Sequence, residues 1–151
     1  MKNKTKKHDL LNEGGNLDLS EFLGTDRRPL PEIIRADAAA LKKLKLDCQT
    51  VAKRMEYFRK AAENGLGEYV AVAPHFEASC DVARGMLACP FGDAGKIRKT
   101  AVVVRNLRLK KEIAFSDLNI HLIAAHGFFE GRGSPFRLEP DDLANILEIG
   151  I

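Results

Sequence analysis

The chain contains no tryptophan and only two tyrosines, so phenylalanine, with eight copies, supplies most of its aromatic packing. No apolar run approaches the ~20 residues a membrane-spanning helix needs. The first residues, MKNKTKKHDLLNEGG, are basic but lack the apolar stretch of a secretory signal. A cytoplasmic setting in a microbe is the expectation. Three cysteines are an odd number, which excludes a complete set of paired disulfides. In a reducing compartment all three are expected free or metal-bound. A net charge of +3 is too small for a committed nucleic-acid binder.

What the chain has is segregated. Lys2, Lys4, Lys6 and Lys7 form one basic cluster. A second holds Lys96, Arg98, Lys99, Arg105, Arg108, Lys110 and Lys111, with no acidic residue between them. Glu139, Asp141, Asp142 and Glu148 make the C-terminus acidic. Between residues 80 and 131 lie two of the three cysteines, two of the four histidines and four of the phenylalanines.

A chain of 151 residues suits one domain with a modest core. Residues 1–28 are too polar to bury much surface and are expected to form a disordered tail, with DLSEFLG as a candidate helical turn. The domain then spans 29–151. Pro31 suits an early helical position. Ile34, Ala38, Leu41 and Leu44 trace a helical face after it. Asp47 is a good N-cap for a second helix. Val51, Met55, Phe58 and Ala62 form its stripe, and Asn64-Gly65 ends it. The two make a helical hairpin over 29–66.

After Gly67 the periodicity becomes extended. EYVAVA, HFEAS and GMLACPF read as strands, with a turn near Cys80–Arg84 and an end at Pro90. TAVVVRN and KEIAF pair as a further hairpin. Ser116 caps the helix SDLNIHLIAAH, which Gly127 terminates, and a last helix starts at Glu139-Pro140 with Leu138 and Leu143 as a staple. PFRL is a candidate edge strand. The expected class is α+β: an N-terminal helical hairpin, an antiparallel sheet of three to five strands and two C-terminal helices.

The leading chemical candidate is a metal site of Cys80, Cys89, His121 and His126, because thiolate and imidazole are zinc's preferred ligands. The spacing fits a zinc finger poorly: eight residues separate the cysteines, and Cys89 lies far from His121. On a regular helix His121 and His126 point about 140° apart. They straddle Leu118, Leu122 and Ala125, so a shared site asks the last turn to loosen. The bland reading has two small buried cysteines and two histidines flanking a core. A Cys89 nucleophile with His121 or His126 as base, oriented by Asp93 or Asp117, would make a small hydrolase or redox enzyme. Pro90 argues against it by removing an N–H from any oxyanion hole. GDAGK is not a phosphate-binding loop, since its glycines are too close and Ile97 follows Lys96. The basic run can follow phosphates but contains no aromatic stacking platform. In GFFEGRGSPF, one phenylalanine is expected to fold back on the core.

CPF, a strand hairpin and IHLIAAHGFFEGRGSPFRL together resemble a family of small uncharacterised bacterial proteins over residues 68–148. The resemblance implies Cys89, His121 and His126 as its common residues and no assigned function. It makes Cys80 the weakest ligand, with His75, Asp93 or water as the fourth partner instead. The functional expectation is a non-enzymatic binding or accessory protein with a structural zinc, and a nucleic-acid contact through the basic hairpin. The alternatives are the cysteine–histidine enzyme and a metal-free interaction module.

Overall fold

The computed structural model describes residues 19–93 and 95–150. Five helices and four strands follow in the order α1 (Ser20–Leu23), α2 (Leu30–Lys43), α3 (Cys48–Glu63), β1 (Val70–Val72), β2 (Phe76–Ala88), β3 (Lys96–Asn106), β4 (Lys111–Phe115), α4 (Asp117–His126) and α5 (Pro140–Ile146). The sheet is antiparallel throughout, in the order β1-β2-β3-β4. The class is therefore α+β, with helices at both ends and the sheet between. Among the described residues no helix is long and apolar enough to cross a membrane.

Helix α3 starts where the Asp47 carboxylate accepts from the Thr50 N–H at 2.8 Å. Its stripe of Val51, Met55, Phe58 and Ala62 is fully buried against the sheet. Phe58 meets Phe76 of β2 edge-to-face at 4.9 Å, a geometry worth about 0.5–1.5 kcal/mol beyond area burial. Helix α2 is rotated from the expected face. Ile33, Asp37 and Leu41 are buried, not Ala38 and Leu44. Asp37 belongs inside because Arg137 forks onto it at 2.7 and 2.9 Å. That partner is a hundred residues away in sequence, so local periodicity carries no sign of it.

The expected turn at Cys80–Arg84 is absent. β2 runs straight through it, and the Arg84-Gly85 break is absorbed as a bulge. Val82 lies opposite Thr100 and Met86 opposite Arg98, so four steps on β2 match two on β3. Gly85 takes a left-handed φ of 92° there, with open space around it. A glycine inside a strand marks a bulge as readily as a turn. The true reversal comes after β2 ends at Ala88 and before β3 starts at Lys96. Beyond the bulge the β2–β3 ribbon outruns β1 and β4, and residues 81–86 are exposed.

The first 18 residues of the expected tail lie outside the described residues. Residues 19–28, which the same expectation included, are built into the domain. Leu19 is buried, and Phe22 and Leu23 pack against the second core cluster. This strap is laced to the loop after α4. Gly131 N–H donates to the Phe22 carbonyl at 2.7 Å, and Thr25 N–H donates to the Arg132 carbonyl at 2.9 Å. PFRL forms no strand. Phe128 and Phe129 both turn into the core, while Phe136 stays exposed.

Two clusters make up the core. The larger joins α3, the sheet, Ile123, Phe129 and the C-terminal leucines. The smaller holds Ile33, Cys89, Leu118, Leu122 and Phe128. Helix α4 is the wedge between them. Ile123 faces one cluster and Leu122 the other, which leaves Ala125 exposed where the sequence pattern placed it inside.

Two outcomes follow from this packing. A methyl at Gly131 would sit 2.3 Å from the Leu23 carbonyl oxygen. Gly131→Ala should therefore destabilise the domain by about 1–3 kcal/mol in chemical denaturation, as overpacking does. Gly95→Ala, with open space around it, is the control and should be near neutral.

Glu130 gives the second. It is buried, and accepts from Ser134 Oγ at 2.8 Å and Asn119 Nδ2 at 3.2 Å. Burial pushes its carboxyl from 4.5 up to about 7, against the pull of those two donors. A raised folded-state value means the folded chain holds the proton more tightly. Its stabilisation is complete below about pH 4.5 and is lost as pH rises through about 7. Glu130→Gln should remove that part of the pH dependence, so that its stability exceeds that of the wild type most clearly above pH 7. Denaturation midpoints measured at several pH values check this.

Candidate metal centre

Cys89 is the first residue after β2. The Gly92 N–H returns to the Cys89 carbonyl at 2.9 Å, closing a tight turn over Cys89-Pro90-Phe91-Gly92. Gly92 adopts a φ of 75°, which glycine tolerates without strain. The turn brings Asp93 back beside Cys89. The thiol itself is buried among Ile33, Leu118, Leu122 and Phe128, and Sγ accepts from the Phe91 N–H at 3.4 Å.

The two histidines come from α4. Ser116 and Asn119 form a reciprocal capping box at its start. Gly127 closes its end in the left-handed conformation, donating to the Ile123 carbonyl at 3.0 Å. The last turn has not loosened. His121 and His126 still meet, both within reach of Asp93 in the turn that Cys89 packs onto Leu118 and Leu122. Their centroids are 5.4 Å apart.

Asp93 sits between them. His121 Nε2 is 3.2 Å from one carboxylate oxygen, and His126 Nε2 is 3.1 Å from the other. Cys89 Sγ is 3.6 Å from His126 Nε2. One ligand atom from each of Cys89, Asp93, His121 and His126 lies within 4.8 Å of all the others. Bonds of ~2.0–2.3 Å at tetrahedral angles separate neighbouring ligands by roughly 3.3–3.8 Å. The group is thus of a size and donor type that can hold a metal ion.

The electrostatics are those of a mutually satisfied set. Burial, followed by the hydrogen bond to Asp93, pushes the Cys89 thiol up to about 11. The Asp93 carboxyl is held well below the usual carboxylate range, first by that thiol and then by the two imidazoles.

Cys80 is not part of the set. It lies mid-strand in β2 opposite Val102, buried in the larger cluster. About eight residues of strand at ~3.3 Å each separate it from the end where Cys89 sits. The assignment of Cys80 as a ligand depended on a hairpin at Cys80–Arg84, and the bulge removes that hairpin. His75, another candidate fourth partner, is also elsewhere, paired with Glu148 at 2.8 Å. Asp93 takes the place. Its sequence signal was slight: a carboxylate four residues after Cys89, in a loop with glycine on either side. Phe91 was missed. It stacks on His126 at 4.1 Å and meets Phe128 edge-on at 5.7 Å, fixing the imidazole plane.

The basic run is less available than its sequence suggests. Arg105 is paired with Glu77 at 3.0 Å and Glu112 at 3.1 Å, and covers the Tyr69 ring. Arg108 is paired with Glu148, and Arg98 lies 3.9 Å from Glu63. Lys96, Lys99, Lys110 and Lys111 are exposed. Three of the seven cations thus have carboxylate partners from other segments, and nucleic-acid binding gains no support.

Comparison with family models, curated proteins and solved structures gives no match. The resemblance over residues 68–148 therefore rests on its motifs alone.

The thiol's surroundings make a direct prediction. A buried thiol raised to about 11 is a poor nucleophile at neutral pH. In metal-free protein, Cys89 should react with a disulfide reagent far more slowly than the same residue in denaturant. A fast, folded-state reaction assigned to Cys89 by peptide mapping would revive the nucleophile reading.

Proposed function

We propose that the chain is a non-enzymatic metal-binding accessory domain, in which a zinc ion joins the β2–β3 loop to the end of α4. The observation that carries this reading is the convergence of Cys89, Asp93, His121 and His126 within 4.8 Å. Those residues come from two segments separated by the whole of β3 and β4. One thiolate, two imidazoles and a carboxylate are a donor set zinc accepts, and soft thiolate with imidazole disfavours magnesium and calcium. The supporting surroundings are of the kind metal sites use: an apolar floor under the thiol and a stacked ring against one imidazole. The nucleophile alternative is disfavoured by the raised thiol and by Pro90.

Metal binding to such a site is coupled to folding. Purified protein should contain about one zinc per chain by elemental analysis. Cys89→Ser, His121→Ala and His126→Ala should each lose it, and chelation should lower the melting temperature of the wild type but not of these variants. Cys80→Ala, lying in the other cluster, should keep its zinc. Metal-free protein that takes up no zinc on titration would rule the reading out, as would zinc loss in Cys80→Ala with full retention in His126→Ala.

A further inference from the structure

The four members of the cluster are not held alike. Cys89 is 1% exposed, at a strand end, with its sulfur pinned by the Phe91 N–H and packed among side chains of α2, α4 and the loop after it. His121 and His126 project from a helix capped at both ends, and His126 is stacked under Phe91. Their side chains are 23% and 19% exposed. Asp93 differs on each count. Its side chain is 39% exposed, and its backbone follows the left-handed Gly92 with Gly95 just beyond. Its carboxylate contacts lie within the cluster itself, to Cys89, His121 and His126. Cys89 and His126 are therefore held by packing outside the cluster, and His121 by its place on a capped helix. The Asp93 carboxylate is held by the other three, and it stands on the solvent side.

Resting on the metal-binding reading above, we propose that Asp93 is the displaceable ligand. Metal held by Cys89, His121 and His126 then offers a fourth position to water or to a small oxygen-donor anion of the carboxylate or hydroxamate class. Three protein ligands with one exchangeable position is the arrangement that lets a zinc site bind an outside molecule. The class of molecule follows from what it replaces. The Asp93 carboxylate is a planar monoanion offering two oxygen donors on the solvent side of the cluster. A free carboxylate or hydroxamate matches that charge and shape. Phe91, partly exposed at the same rim, gives a flat apolar wall for the ligand's substituent. Turning Asp93 out moves a side chain that is already part-exposed, whereas displacing Cys89 would open the smaller core cluster. The site is thereby suited to a sensor or carrier, in which the bound anion and the Asp93 loop exchange places.

Cobalt(II) tests this, because its visible spectrum reports coordination number and its near-ultraviolet band reports a thiolate ligand. Full-length protein is loaded with cobalt(II) alone, then titrated with acetohydroxamate. The expected first result is a four-coordinate spectrum with a thiolate band. The expected second is a saturable shift and weakening of the visible bands, with the thiolate band retained. Asp93→Asn should keep cobalt, with affinity reduced by no more than about 100-fold, because three protein ligands remain as in zinc sites with an open position. That variant should respond at lower acetohydroxamate concentration. No cobalt spectrum at all would sink the metal reading and this proposal with it. A cobalt spectrum that saturating acetohydroxamate leaves unchanged would keep the metal reading and overturn the exchangeable position. So would a folded Asp93→Asn protein that binds no cobalt. Should Asp93→Asn not fold, the wild-type titration still decides.

Discussion

The return of the β2–β3 loop onto helix α4 is the constraint on which the rest of this structure depends. The ribbon leaves the four-stranded sheet at the bulge between Val82 and Met86 and would otherwise project into solvent. It is brought back by Cys89, which buries its side chain with Leu118, Leu122, Phe128 and Ile33. Leu87, Phe91 and Ile97 support the contact from the ribbon, and Phe22 and Leu23 support it from the N-terminal strap. The polar cluster lies on the rim of that apolar contact. Its members meet because the loop and helix are already pressed together.

The same contact explains why the cluster is paired as it is. A buried thiol and a carboxylate beside two imidazoles satisfy one another in a ring of short polar contacts. Buried polar groups need such partners, and a half-satisfied network costs stability. The apolar floor under Cys89 holds the members of that set together.

Sequence patterns revealed the elements whose signals are local. Asp47, Ser116 and Gly127 announced their helix ends by capping chemistry, and the stripe of α3 by its period. The class also followed from the order of helical and extended periods, whereas the helical period set His121 and His126 about 140° apart. What escaped was set by long-range partners. Asp37 is buried because Arg137 reaches it across the chain. Residues 19–28 looked too polar to pack, but their backbone bonds run to the 131–134 loop, which no local pattern discloses. Gly85 supported a turn and a bulge equally, and choosing the turn led to Cys80 in place of Asp93. Register, which decides such a choice, is a property of two strands and not of one.

The most direct measurement of the central claim is zinc X-ray absorption on the metal-loaded protein, which counts sulfur neighbours separately from nitrogen and oxygen. One Cys89 thiolate predicts a single sulfur at ~2.3 Å, with the remaining donors nitrogen or oxygen at ~2.0–2.2 Å. Two sulfurs in the first shell, or none, would contradict a centre built on Cys89, His121 and His126.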